Sequence, residues 1–301
     1  MFKILSFAGK VATRTHLMAV AVGVFYLTLA LGCRMPGPGQ DSAPARAVAQ
    51  DVPEVLNPDS LWRMPAELKE ISALAIAANG DLLTLHDEDG DIYRVNSSNG
   101  VVQGRTRLAG SGDFEALAAW DSVVVALRSD GRLYRSGPGE DTKRYDLDLH
   151  GSCDLESADV RPGSGQLWIG CKEDPGRRLG RTRAFYSVAL DDLLGDERDL
   201  EPMLELRLET PPDPRTEKGQ PYGRFKPSAL AFLDADRFLV LSSVYPALFE
   251  YRVDGTLLDS WSLPRTDLTQ PEGIAVDARG TLYIASEGTP GVIAVFQIPS
   301  R

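Results

Sequence analysis

Histidine and cysteine are both scarce in this chain, with three of each among 301 residues. Beyond the N-terminal segment only His86 and His150 remain, far apart in sequence. The chain has no HExxH, CxxC or Gly-x-Ser-x-Gly motif, no P-loop and no dinucleotide-binding glycine run. Zincin, thiol-redox, serine-elbow and nucleotide-dependent chemistry therefore have no motif behind them. A basic stripe is missing too. Thirty-two Lys and Arg face 43 Asp and Glu, a net charge of -11. Positive residues come singly or in small groups such as Arg177, Arg178, Arg181 and Arg183, which excludes nucleic acid and anionic membrane surfaces as electrostatic partners. With 43% apolar residues, the chain is nonetheless long enough to bury a sizeable core.

The N-terminal apolar run, Leu17 to Gly32, spans 16 residues and is short of the roughly 20 that a membrane-spanning helix needs. Lys3, Lys10 and Arg14 precede it, and it ends at Leu29-Ala30-Leu31-Gly32-Cys33. This pattern resembles a bacterial lipoprotein signal, cut before the cysteine that then carries the lipid. The alternative is an N-terminal transmembrane anchor. The expected organisation is a signal over residues 1–32, a Pro- and Gly-rich tether over 33–52 attached through Cys33, and a folded domain over 53–301. The expected location is the cell envelope, on a membrane reached only through the lipid. Arg34 is not the Asp that retains many lipoproteins at the inner membrane, so the periplasmic face of the outer membrane is the expected address.

Within the domain, one short pattern recurs. Glu70-Ile71-Ser72-Ala73-Leu74-Ala75, Asp113-Phe114-Glu115-Ala116-Leu117-Ala118, Asp154-Leu155-Glu156-Ser157-Ala158, Lys226-Pro227-Ser228-Ala229-Leu230-Ala231 and Gln270-Pro271-Glu272-Gly273-Ile274-Ala275 align on a small-apolar-Ala core. One column reads Ser72, Glu115, Glu156, Ser228, Glu272, at steps of 43, 41, 72 and 44 residues. Asn79-Gly80, Asp89-Gly90, Asn99-Gly100 and Asp130-Gly131 supply hairpin turns between the following strand-like runs. A period in the low forties with four strands per unit predicts an all-β, five-bladed β-propeller of four-stranded antiparallel blades. The long step is absorbed by insertions over 172–183 and 210–224; six blades are the alternative. The last unit lacks its outer strand, while Asp59-Ser60-Leu61-Trp62-Arg63-Met64-Pro65 resembles the segment before Pro264. The N-terminal strand is therefore expected to close the ring.

Cys153 and Cys171 flank one hairpin, across the turn 161–165. The pairing of those strands predicts a disulfide in an oxidising compartment; the alternative is two free buried thiols.

The chain resembles the SdiA-regulated, YjiK-like bacterial propellers over about Leu56 to Ile298. The resemblance rests on Asp113-Phe114-Glu115-Ala116-Leu117, Cys153-Asp154-Leu155-Glu156, Phe238-Leu239-Val240-Leu241-Ser242, Pro271-Glu272-Gly273-Ile274-Ala275 and Leu282-Tyr283-Ile284-Ala285-Ser286-Glu287. It implies a five-bladed propeller that holds calcium at a shared site and has no established enzymatic activity.

The first strands of propeller blades line the axis, so the repeated column becomes a ring of three carboxylates and two hydroxyls. Three glutamates at one axis repel unless a cation or shared protons intervene, and hard oxygen ligands suit Ca²⁺. Glu115, Glu156 and Glu272 are the expected metal ligands, with Glu287 as a further contributor. Ser72 and Ser228 complete the ring, and Asp113, Asp154 and Glu70, two residues earlier, form an outer acidic layer. The alternative is that the ring residues only brace backbone amides of neighbouring blades. Asp87-Glu88-Asp89-Gly90-Asp91 looks like the start of an EF-hand loop but lacks the glutamate at the twelfth position, and reads as a hairpin turn. The expected role is a binding or scaffold module that engages an envelope protein or a small molecule at one propeller face. A calcium-dependent phosphoester or lactone hydrolase is the alternative, for which Arg128 and Lys172 are the basic candidates and His86 a further channel residue.

Overall fold

The structure, a computed structural model, describes residues 54–149, 153–173, 182–215 and 225–298. The lipid-attachment residue Cys33 and the proposed signal and tether lie outside the described residues, as does His150.

The first strand, β1 (Ser60–Arg63), precedes a single 3-10 turn at Ala66–Leu68. Blade 1 follows as β2 (Ile71–Ile76), β3 (Leu82–His86), β4 (Asp91–Val95) and β5 (Val102–Arg107). Blade 2 is β6 (Phe114–Trp120), β7 (Val123–Arg128), β8 (Arg132–Ser136) and β9 (Lys143–Leu147). Blade 3 begins with β10 (Leu155–Arg161), β11 (Gln166–Cys171) and β12 (Thr182–Ala189). The chain then passes through a short helix α1 (Leu190–Leu194) and strand β13 (Asp199–Leu200) before β14 (Met203–Glu209) completes the sheet. Blade 4 is β15 (Pro227–Phe232), β16 (Arg237–Ser242), β17 (Ala247–Arg252) and β18 (Leu257–Ser262). Blade 5 consists of β19 (Gln270–Val276), β20 (Thr281–Glu287) and β21 (Val292–Gln297), with β1 as its outer strand.

Five antiparallel sheets thus form a five-bladed β-propeller, as the repeat predicts. The ring closes as expected: β1 pairs antiparallel with β21 from Ser60 opposite Val295 to Arg63 opposite Val292. This covers an edge that would otherwise present unpaired amides. Blade 2 departs from four strands. β13 adds to its outside, parallel to β9, and Tyr145 Oη donates to the carbonyls of Leu193 (2.6 Å) and Gly195 (2.9 Å), holding the insertion in place.

Each blade buries both faces against its neighbours, so its middle strands read as apolar runs rather than strict alternation. The core is correspondingly divided among the blade interfaces. Leu239, Leu241 and Trp261 of blade 4 meet Ile274, Leu282 and Ile284 of blade 5, and Tyr93 and Val95 of blade 1 meet Tyr283 and Ile293 of blade 5. Between blades 3 and 4 the filling is aromatic, with Trp168 edge-on to Phe232 (5.3 Å) and Phe238 (5.7 Å). Polar braces add to these contacts: Asp159 accepts the Phe232 amide across the same interface (2.8 Å).

Two glycines are required by close approach. Gly90, in the turn between β3 and β4, has φ +64°, and a Cβ there would lie 2.7 Å from the Gly110 carbonyl and 2.8 Å from the Phe114 ring. At Gly273, on β19, a Cβ would meet the backbone of Ala73 and Leu74 in blade 1 at 2.8 and 2.9 Å. The segment Asp87 to Asp91 is the hairpin turn, and buried Asp91 is paired with Arg105 and Arg107 of β5.

Candidate metal centre

Every inner strand carries a β-bulge at the same place. The register with the second strand slips between Ile71 and Ala73, Phe114 and Ala116, Leu155 and Ser157, Pro227 and Ala229, and Pro271 and Gly273. The skipped residues are Ser72, Glu115, Glu156, Ser228 and Glu272, the column read from the repeat. A bulged residue has no partner in the ladder and can be re-aimed away from the alternating faces. Five bulges repeated around the ring therefore explain why one column of side chains, rather than a whole strand face, is devoted to the axis.

The structure brings Glu115, Glu156 and Glu272 together, each offering a carboxylate oxygen within 4.8 Å of the others. They line an axial cavity of about 10 Å³, walled otherwise by small and apolar residues including Ala73, Ala116 and Ala229. That volume holds about one water molecule or one ion. Glu156 and Glu272 are each only 4% exposed. Burial, reinforced by Glu156, Asp113 and Glu272, pushes the Glu115 carboxyl up to about 9. Burial raises Glu272 to about 8 and Glu156 to about 7, in both cases against the pull of Lys172.

Lys172, just beyond β11, supplies a cation that the strand pattern only hinted at. Its Nζ donates to Glu156 Oε2 at 2.8 Å. Burial works against its charge, but Glu272, Glu156 and Glu115 outweigh that and hold its pKa above the usual lysine range. Fully ionised, the three glutamates with one ammonium would leave a charge of about -2 at the axis, which matches a divalent cation.

The two hydroxyls differ. Ser228 Oγ donates to the Pro271 carbonyl of blade 5 (2.8 Å), a brace between blades, whereas Ser72 Oγ is buried with no hydrogen-bond partner. Among the described residues, the three glutamates accept no backbone amide from a neighbouring blade. An oxygen-only set of three buried carboxylates, an unpartnered hydroxyl and space for one ion fits Ca²⁺.

Other candidate residues lie around this core. Asp113 and Asp154 are exposed at the mouth; Asp113 accepts a hydrogen bond from Ser129 Oγ, and both raise ring carboxyl pKa values through space. Glu287 ends β20 and accepts a hydrogen bond from Gln270 Nε2 (2.8 Å). Burial, then Asp87 and Glu70, push its carboxyl up to about 7, so it stands with the mouth residues rather than within the trio. Glu70 pairs with Lys69 and His86. Arg128 lies over the Phe114 ring (5.9 Å) and pairs with Asp130 (3.0 Å). Cys153 and Cys171 are joined by a disulfide with Cα atoms 5.5 Å apart, anchoring the end of β11 from which Lys172 projects.

None of the curated proteins matches this chain. Among solved structures, Myxococcus xanthus glutaminyl cyclase is similar with a TM-score of 0.55 and 15% identity, covering 82% of this chain and 99% of its own. A regucalcin from Agrobacterium tumefaciens, described as a calcium-binding protein, has a TM-score of 0.45 and 15% identity over 83% of this chain and 94% of its own. Virginiamycin B lyase from Staphylococcus aureus has a TM-score of 0.42 and 13% identity over 80% and 74%. At 15% identity the likeness to the glutaminyl cyclase is one of fold. In sequence, the SdiA-regulated family model matches residues 227–297, which span blade 4 and the three C-terminal strands of blade 5.

Proposed function

We propose that the protein is an envelope-tethered β-propeller whose axis holds one calcium ion and whose mouth face binds a partner. The observation that carries this reading is the meeting of Glu115, Glu156 and Glu272 at one buried point beside Lys172. Three carboxylates desolvated together are costly unless compensated, and the neighbouring lysine compensates only one. Calcium would supply the remaining positive charge and tie blades 2, 3 and 5 together at the axis. Glu115, Glu156 and Glu272 would bind it, with the Ser72 hydroxyl available from blade 1. Lys172 would keep Glu156 oriented. In this reading the metal makes the propeller rigid, and the mouth, rimmed by Asp113, Asp154, Glu70 and Glu287, presents an acidic surface to a partner protein or a small cationic molecule. Tethering through Cys33 would hold that face in the envelope, on the outer membrane.

The test is calcium binding to the purified full-length protein, by calorimetry and by melting with and without chelator. Saturable binding that disappears in the Glu115→Gln/Glu272→Gln double variant supports the site. No binding, with melting indifferent to chelator, refutes it.

A second reading is favoured by one feature, the reach of Lys172 into the acidic ring. A proton held on Glu115 beside a fixed ammonium is an acid–base arrangement, and with calcium bound it would suit hydrolysis of a phosphoester or lactone. Turnover of such substrates by the calcium-loaded protein, abolished in Lys172→Met, would distinguish it from the binding module.

A further inference from the structure

The mouth of the channel carries a second group of side chains, at the start of β2 and the end of β3. His86 closes β3 with its side chain 9% exposed; Nε2 lies 3.3 Å from Glu70 Oε2 and Nδ1 lies 3.0 Å from Asp87 Oδ1. Glu70, His86 and Asp87 each offer a ligand atom within 4.8 Å of the other two. The remaining Glu70 oxygen, Oε1, is held by Lys69 (2.9 Å), which leaves Oε2 facing the imidazole. Glu287 arrives at the end of β20 beside them, where the next residue's amide, that of Gly288, donates to the Lys69 carbonyl at 2.9 Å.

The protons in this group do not balance. His86 Nδ1 accepts the Glu88 amide at 3.2 Å, so the neutral ring carries its proton on Nε2, toward Glu70. Asp87 Oδ1 is then left buried with no donor, its lone pairs facing that of Nδ1. Buried polar atoms are nearly always satisfied, and an exception calls for an explanation such as an ion. A cation on Nε2 would move the ring proton to Nδ1, where it meets Asp87 Oδ1 and displaces the Glu88 amide, which the Asp87 carboxylate also accepts. The orphaned oxygen gains its donor, and the carboxylate fixes the tautomer and orientation of the ligating ring. The 3.3 Å between Nε2 and Oε2 is also about the edge of a tetrahedron with metal–ligand bonds of about 2.0–2.1 Å.

We propose that Glu70 Oε2 and His86 Nε2, with Glu287 beside them and Asp87 orienting the imidazole, form a site for a divalent transition metal of the zinc class at the channel mouth. The inference does not rest on calcium at the axis. Imidazole selects borderline metals, whereas the oxygen-only ring selects hard ones, so the two ends of the acidic channel would sort ions by softness. Two or three protein ligands at a solvent-facing mouth leave coordination positions open to water or to an anionic group of a partner.

Full-length protein stripped with chelator and then saturated with Ca²⁺ is titrated with Co²⁺, whose visible absorption reports nitrogen and oxygen ligation. The expected result is one equivalent of bound Co²⁺, displaced by Zn²⁺ and not by Ca²⁺. Binding should weaken at least about 100-fold in His86→Gln and about 10- to 100-fold in Asp87→Asn, and stay unchanged in Glu115→Gln/Glu272→Gln. Absence of saturable Co²⁺ and Zn²⁺ binding, or binding undiminished in folded His86→Gln, overturns the proposal, as does its loss in the ring double variant. If circular dichroism shows that His86→Gln does not fold, the half-buried Glu70→Gln decides: unchanged Co²⁺ affinity there refutes the site.

Discussion

With no metal at the axis, the stability of this propeller should fall as pH rises, the opposite of ordinary acid unfolding. The buried Glu272 carboxyl stands at about 8, against 4.5 for an unperturbed glutamate. Between those values the folded protein keeps a proton that the unfolded chain has released. The contribution is complete below pH 4.5 and is lost as pH rises toward 8. One proton of difference corresponds to about 1.4 kcal/mol per pH unit, so raising the pH from 5 to 7 removes about 3 kcal/mol through Glu272 alone. For a domain of this size that is a drop in melting temperature of about 5–10 °C. Glu115, raised to about 9, adds a slope of the same size and extends the trend to higher pH. Glu156, at about 7 with Lys172 beside it, finishes its contribution first. The assay is a set of melting curves from pH 5 to 9 in chelator, for the parent protein and for Glu272→Gln. Subtracting the variant's slope removes the contribution of surface carboxylates common to both. Saturating calcium should flatten the parent curve, because the ion takes the place of the protons. Equal slopes in parent and variant, or a chelated protein whose melting does not fall with pH, would refute the electrostatic account of the ring.

Three further outcomes follow from the architecture. Cys153→Ser should cost about 3 kcal/mol under oxidising conditions, from the entropy of the 19-residue loop the disulfide closes, and nothing additional in reductant; chemical denaturation in both buffers measures the difference. Gly273→Ala drives a methyl into the backbone of Ala73 and Leu74 and should destabilise by about 1–3 kcal/mol or more, with the loss seen in thermal melts whether or not calcium is present. Ser228→Ala removes the hydrogen bond to the Pro271 carbonyl and should cost about 1–3 kcal/mol, read by denaturant midpoint, without changing calcium affinity.

The repeat made the blades legible because each unit opens on the same small-residue core and blades 1, 2 and 4 punctuate their strands with Asn-Gly or Asp-Gly turns. Closure by β1 was legible for the same reason, since the segment around Trp62 copies the one around Trp261. The bulges were not. Strict two-residue alternation has no place for an extra residue, so the sequence could align Ser72, Glu115, Glu156, Ser228 and Glu272 without revealing that they leave the ladder. Lys172 showed itself only as a basic residue at a strand end, because its bond to Glu156 joins residues on two different strands of blade 3. β13 escaped notice because two residues pairing with another blade carry no periodicity of their own. In the sequence His86 stands far from any other histidine; what gives it company is the pairing of β2 with β3, which sets Ile71 opposite His86 and so brings Glu70 alongside.

Closing the ring with β1 also sets the order in which the molecule can be finished. A ribosome delivers Ser60 to Arg63 before the four intervening blades and Val292 to Gln297 after them, so the opening strand waits without a partner while four blades are made. Until then blade 5 is a gap, and the waiting strand is open to proteases and to the edges of other unfinished chains. A message truncated shortly before Val292 would leave two unpaired edges rather than one. The quality of the whole ring is thus tested when β1 and β21 meet.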